Sequence, residues 1–143
     1  MRVGIVGSEE AKFTMIGRVA AESMIVELIE GAEEVVSGGC HLGGVDIWVK
    51  ELAYASGIPF WEYLPKKRAW ADGYRVRNLQ IAQRSDVVYC ITVDRLPPEF
   101  TGMKFDFCYH CNTKDHVKSG GCWTVRQAIK MGKQGNVFVV KNV

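Results

Sequence analysis

Two groups of residues in this chain have types and spacings suited to chemistry. The first is the run Ser37-Gly38-Gly39-Cys40-His41-Leu42-Gly43-Gly44-Val45-Asp46, with four glycines in ten residues. A strand-like run, Glu34 to Ser37, precedes it, and an amphipathic helical pattern follows it. A glycine-rich strand-to-helix turn lets backbone N–H groups approach an anion, and the helix N-terminus adds partial positive charge. The expected chemistry is phosphate or nucleotide binding; the alternative is a tight turn with no ligand. The second group is Cys108, Cys111, His116 and Cys122, spaced C-x2-C-x4-H-x5-C. Three thiols and one imidazole suit a structural zinc ion in tetrahedral geometry. The spacing resembles a retroviral zinc knuckle with one extra residue before the last cysteine. His110 is an alternative ligand to His116. The contrasting reading is a loop of reduced cysteines with both histidines solvated.

Further loop signatures accompany the glycine-rich run. Gly7, Ser8 and Glu9 follow the first strand pattern, and Ser119-Gly120-Gly121-Cys122-Trp123-Thr124 opens the last helix. Arg77 and Asn78 lie on the helix before the fourth strand pattern. Ser8 either caps a helix or bonds a phosphate oxygen. Asp46 either answers the helix dipole or accepts from a ribose hydroxyl. Arg77 suits bidentate phosphate contact, and Asn78 suits a base or a loop carbonyl. Thr124 is an N-cap or a phosphate contact. Trp48 reads as core, whereas Trp123 either stacks on a base or covers the sheet edge.

The elements that must position these groups alternate along the chain. Strands are expected at Arg2 to Val6, Glu34 to Ser37, Ile58 to Tyr63, Asp86 to Val93 and Asn136 to Val140. Their near-continuous apolar character suits a parallel sheet buried on both faces. Helices are expected at Ile16 to Ile29, Val45 to Ser56, Tyr74 to Arg84 and Thr124 to Met131. The second has a clear core stripe in Val45, Trp48, Val49, Leu52 and Ala53, and Gly132 suits the C-cap of the last. This alternation implies a single α/β domain over residues 1–143, with right-handed crossovers and strand order 3-2-1-4-5. Two stretches read as irregular, Leu64 to Gly73 and Arg95 to Gly121. The second includes the Cys/His-rich loop at 95–122, long enough to need a device that fixes it.

Bulk properties bound the function. The 143 residues are 48% hydrophobic and 24% charged, with a formal net charge of +2, so disorder and a strong nucleic-acid footprint are both disfavoured. Five cysteines, an odd count, and no secretory signal point away from a disulfide framework. No run reaches membrane-span length. A cytoplasmic protein is expected.

Taken together, Arg2 to Glu9, Val35 to Asp46, Arg77-Asn78 and Gly120 to Thr124 resemble the SLOG superfamily over nearly the whole chain. That superfamily includes the cytokinin-activating phosphoribohydrolases, the DNA-processing protein A of transformation, and small stand-alone domains. The resemblance implies a Rossmann-like three-layer fold and a nucleotide or nucleotide-derived ligand. It places Gly7, Ser8, Gly38, Gly39, Gly43, Gly44, Asp46, Arg77, Asn78, Gly120, Gly121 and Thr124 around that ligand, and it implies a homodimer. The last motif departs from the phosphoribohydrolases. Ser119 replaces a proline, Trp123 replaces the third glycine, and Gln127 stands where the catalytic glutamate would be. Glutamine neither accepts a proton nor stabilises an oxocarbenium ion as a carboxylate does. Binding without turnover is therefore the leading expectation. The alternatives are N-glycosidic hydrolysis of a nucleotide and a zinc-knuckle nucleic-acid binder, the latter set back by the modest charge.

Overall fold

The computed structural model describes every residue from Met1 to Val143. Five strands form one all-parallel sheet: β1 (Arg2–Gly7), β2 (Glu34–Ser37), β3 (Phe60–Glu62), β4 (Val87–Val93) and β5 (Gln134–Val140). Their order is β3-β2-β1-β4-β5, as the alternation implies. The helices are α1 (Met15–Ile29), α2 (Val45–Ala55), α3 (Arg75–Arg84) and α4 (Gly120–Lys130). The protein is thus an α/β, Rossmann-like fold.

Strand periodicity divides the core in two. On β1, Val3 and Ile5 face one side with α1 and α2, through Ala21, Ile25, Ile29, Val45, Trp48, Val49 and Ala53. Val6 faces the other side with α3 and α4, through Ile81, Ala82, Val125 and Ala128. β4 contributes Val87, Ile91 and Val93 to the first core and Val88 and Cys90 to the second. A strand buried on both faces must be apolar at nearly every position, which explains the uninterrupted run at 87–93. β3 and β5 are the sheet edges and are more exposed. Trp48 is core, 2% exposed.

Boundaries differ from expectation chiefly at three places, and β5 begins two residues early, at Gln134. α4 begins at Gly120, four residues before Thr124, because Ser119 caps it: the Ser119 hydroxyl accepts from the Gly121 N–H at 3.1 Å. The Gly-Gly pair therefore lies inside the first helical turn. A π-helical turn, Trp70–Tyr74, precedes α3, taking in the end of the stretch read as irregular and Tyr74, the expected start of that helix. β3 is shorter than Ile58 to Tyr63. The segment 95–119 has only an isolated antiparallel bridge, Cys108 with Thr113. No helix is long and apolar enough to cross a membrane.

Candidate functional site

In open α/β sheets the ligand crevice lies beyond the carboxyl ends of the strands, where the order reverses. Here that point is between β1 and β4. Gly7 and Ser8 leave β1 there, and Thr92 is near the end of β4. The Ser8 and Thr92 hydroxyls lie 2.8 Å apart, and Thr92 donates to the Val117 carbonyl at 2.7 Å. Both side chains are buried. Ser8 therefore bridges the two strands, and through Thr92 the pair holds the long loop to the sheet.

Gly7 and Gly121 meet at the same place. A Cβ on Gly121 would sit 2.7 Å from Cys90 Sγ, 2.9 Å from Val6 Cγ2 and 3.3 Å from the Gly7 nitrogen. The close approach of α4 to β1 thus requires glycine. Gly120 differs: it is exposed, and the nearest atom to its Cβ would be Asn78 Nδ2 at 4.0 Å. Thr124 is buried, its hydroxyl bonded to the Gly120 carbonyl at 3.3 Å.

The glycine-rich loop is held from beneath by Arg77. Its Nη1 donates to the Gly38 carbonyl at 2.9 Å, and its Nε donates to Asn78 Oδ1 at 2.7 Å. With Oδ1 so engaged, the Asn78 amide nitrogen is the end facing Gly120. A Cβ on Gly38 would strike Arg77 Nη1 at 2.5 Å and Asp46 Oδ2 at 3.0 Å. Gly39, Gly43 and Gly44 have φ values of 66°, 75° and 92°, a region that favours glycine. Gly44 also lies against the backbone of Ser8 to Glu10. The glycine pattern thus serves the loop's own packing as well as any approach to a ligand.

Asp46 is the unusual member. It is 5% exposed, and its Oδ1 has no hydrogen-bond partner. Burial pushes its pKa from 3.8 up to about 6, opposed by the Arg77 guanidinium, the N–H groups of Gly7 and Cys40, and the Ser37 hydroxyl. An orphaned buried carboxylate oxygen beside an arginine is costly, and such groups concentrate at functional sites. Asp46 and Arg77 thus both lie against Gly38, and Arg77 holds Asn78 on the side of Gly120.

The second site expected from sequence also assembles. The donor atoms of Cys108, Cys111, His116 and Cys122 all lie within 4.8 Å of one another. His116 Nε2 is 3.7 Å from Cys122 Sγ, near the edge of about 3.5 Å that ordinary zinc–sulfur and zinc–nitrogen bonds give in a tetrahedron. His116 Nδ1 is 2.7 Å from Asp115 Oδ1, which also accepts from the Thr113 hydroxyl at 2.6 Å. A carboxylate on Nδ1 leaves Nε2 as the ligand atom. His110 is not part of the group; it packs on Tyr109, ring centroids 4.5 Å apart. The backbone shapes the site locally: Cys108 N–H donates to the Thr113 carbonyl at 2.9 Å and Asn112 N–H to the Cys108 carbonyl at 2.7 Å, with Asn112 at φ 60°.

The donor set fits a metal ion. Burial pushes the Cys111 thiol up to about 11, opposed by the adjoining Arg126 guanidinium. Hydrogen bonding with Cys90, then burial, holds the Cys122 thiol well above its usual range. A divalent cation among the four donors would reverse both shifts, since coordination deprotonates a thiol outright. Cys122 belongs to the first turn of α4, so a metal ion in this cluster would fix the long loop against the Gly120-Gly121 turn.

Sequence reasoning missed two things here. One is Asp115, whose signal was its position next to a candidate histidine ligand. The other is the segment Leu64–Gly73, read only as irregular, which packs beside the glycine-rich loop.

The fold and these residues define a Rossmann-like α/β protein with two glycine turns at the carboxyl side of its sheet and a Cys3His group that could hold a metal ion. Along 95% of its length the chain matches the structure of the molybdenum cofactor carrier protein MCP from Chlamydomonas reinhardtii, covering 74% of that chain. Sequence identity is 17% and the TM-score 0.61, so the likeness is one of fold. No family model matches the sequence, and no curated protein matches it.

Proposed function

We infer that this chain is a SLOG-type protein that binds a nucleotide or nucleotide-derived small molecule at the strand-end crevice, without chemical turnover. One observation carries the reading: Arg77 binds the Gly38 carbonyl of one glycine turn and Asn78 on the side of the other, next to the buried Asp46 oxygen that has no partner. Arg77 and the backbone amides of the turns would receive phosphate, while Asp46 would take a ribose hydroxyl. Binding without turnover is favoured by Gln127, which cannot replace a catalytic carboxylate. The structural neighbour is by its name a carrier, which agrees with binding and release.

The Cys3His cluster would hold zinc. Four protein ligands leave no open position for catalysis, so its role is to order the loop that ends at Gly120. α1 leaves Ile16, Val19 and Val26 exposed opposite its packed face, and that surface would pair two copies of the chain. Native mass spectrometry of freshly purified protein tests all three assignments. Retained nucleotide, a zinc-sized added mass and a doubled chain mass are expected; a bare monomer mass that nucleotide and zinc additions leave unchanged refutes them. Free base released from a nucleoside monophosphate would favour the hydrolytic alternative instead.

A further inference from the structure

The cleft beside the glycine-rich loop is lined with three cations, two of which have no ion-pair partner. One wall is Gly39, Cys40 and His41; the other is the segment from Leu64 to Arg68, and Tyr74 completes the lining of a cavity of about 270 Å³. Lys66, Lys67 and Arg68 are consecutive and exposed. Lys67 pairs with Asp72 at 3.0 Å, whereas no carboxylate lies within 4.0 Å of Lys66 or Arg68.

These cations sit on a built segment. Gly73 lies so close to the Lys67 carbonyl that a Cβ would overlap it. Tyr74 N–H donates to the Ala69 carbonyl at 2.8 Å, closing the π turn. Trp70 meets Trp123 of α4 edge-on, ring centroids 5.0 Å apart. The cost of ordering this segment is thus met by the fold, which favours binding of a counter-charge. Holding like charges together without partners opposes folding, and an anion in the cleft would relieve that repulsion.

The cleft also adjoins Arg77 of the proposed nucleotide site. Tyr74, which lines it, lies under the Arg77 guanidinium, 5.6 Å from Cζ to ring centroid. Its volume falls just below the range of about 300–1,000 Å³ typical of whole-ligand pockets, so it suits one end of a ligand. We propose that the cleft is a second anion subsite, and that the ligand is a nucleotide with an anionic group beyond its first phosphate: a nucleoside diphosphate or a diphosphate-linked derivative. This rests on the nucleotide-binding reading above. Lys66 and Arg68 contact the distal phosphate, and Arg77 with the glycine turns holds the proximal one.

The test is calorimetric titration of the full chain with AMP, ADP and inorganic pyrophosphate, repeated with UMP and UDP to remove dependence on the base. The Lys66→Ala, Arg68→Ala double variant is titrated alongside. Both side chains are exposed and unpaired, so the variant should melt no lower than the wild type. The diphosphates should bind roughly tenfold or more tightly than the monophosphates, as expected for one added charge-assisted contact. The double variant should lose that advantage and leave monophosphate affinity unchanged. Equal affinity for mono- and diphosphates, unaltered in the variant, overturns the inference and leaves nucleotide binding standing. Pyrophosphate binding that the variant abolishes, with no nucleotide bound, supports the subsite and removes the nucleotide reading. Failure of every probe to bind the wild-type chain overturns both.

Discussion

The Arg77 guanidinium donates to the Gly38 carbonyl at 2.9 Å, across 39 residues of chain. The same side chain donates to Asn78 Oδ1 and opposes the rise in the Asp46 pKa. One buried cation therefore holds the glycine-rich loop, orients an amide and favours the charged form of a carboxyl against its burial.

Arg77→Ala would leave the Gly38 carbonyl and Asn78 Oδ1 without their donor and Asp46 without its counter-charge. The expected loss is about 3 kcal/mol of stability, since buried groups stripped of a charged partner bear their full desolvation cost. Arg77→Lys should recover only part of it, because an ammonium cannot reproduce the two divergent donations. Chemical denaturation reads both; a loss below about 1 kcal/mol for Arg77→Ala would mean the network is not a structural unit.

Asp46 makes stability depend on pH in a stated direction. Its folded pKa, about 6, lies above the ordinary 3.8, so the folded chain binds more protons between the two values. Stability contributed by this group is present at low pH and is lost as pH rises through that window. The shift corresponds to about 3 kcal/mol at neutral pH. Asp46→Asn removes the titration while keeping the shape. Its stability relative to wild type should rise across about pH 4 to 6 and then level off. A flat difference would show that Asp46 is paired better than its partnerless oxygen indicates.

The two glycines of the second turn should respond oppositely to a methyl group. Gly121→Ala forces a Cβ against Cys90, Val6 and Gly7, and overpacking of this kind costs about 1–3 kcal/mol. At Gly120 a Cβ would meet nothing nearer than 4.0 Å. Gly120→Ala should fold with wild-type stability and lower only affinity for the ligand. Thermal melts paired with titration separate the two effects, and similar melting losses at both positions would contradict this packing.

Metal removal should loosen the long loop first. Chelation, or Cys122→Ser, is expected to expose residues 95–119 to proteolysis while the sheet persists, because that loop has little regular structure of its own. Asp115→Asn should keep all four ligands yet weaken metal affinity by about 10–100-fold, since a carboxylate on the far ring nitrogen strengthens a histidine ligand. Competition with a chromophoric chelator measures this. Unchanged affinity would mean that Asp115, exposed to solvent, does not orient His116.

Much of this was legible in the chain because the signals are local or periodic. The run Val87 to Val93 is apolar at nearly every position because the strand is buried on both faces, and that burial is what a parallel sheet requires. The turn glycines mark places of unusual φ or close approach. The spacing of Cys108, Cys111, His116 and Cys122 is a property of sequence alone, and the four donors do converge. Less legible was the start of α4, where Ser119 pre-empts Thr124 as the cap, and the role of Leu64 to Tyr74, which has no period to read.

The sequence by itself determined the alternation of strands and helices, the sheet order and the three cysteines of the Cys/His cluster, since each rests on residue type at fixed spacing or on the connection rules of α/β folds; the choice of His116 over His110 fell to the tertiary structure. Tertiary structure alone decided which groups meet. Arg77 and Gly38, Ser8 and Thr92, Gly121 and Cys90 are each separated by more than 30 residues. It also decided that Asp46 is buried with one oxygen unpartnered. Burial and long-range pairing depend on how layers pack, and no local pattern encodes the distance between two strand ends.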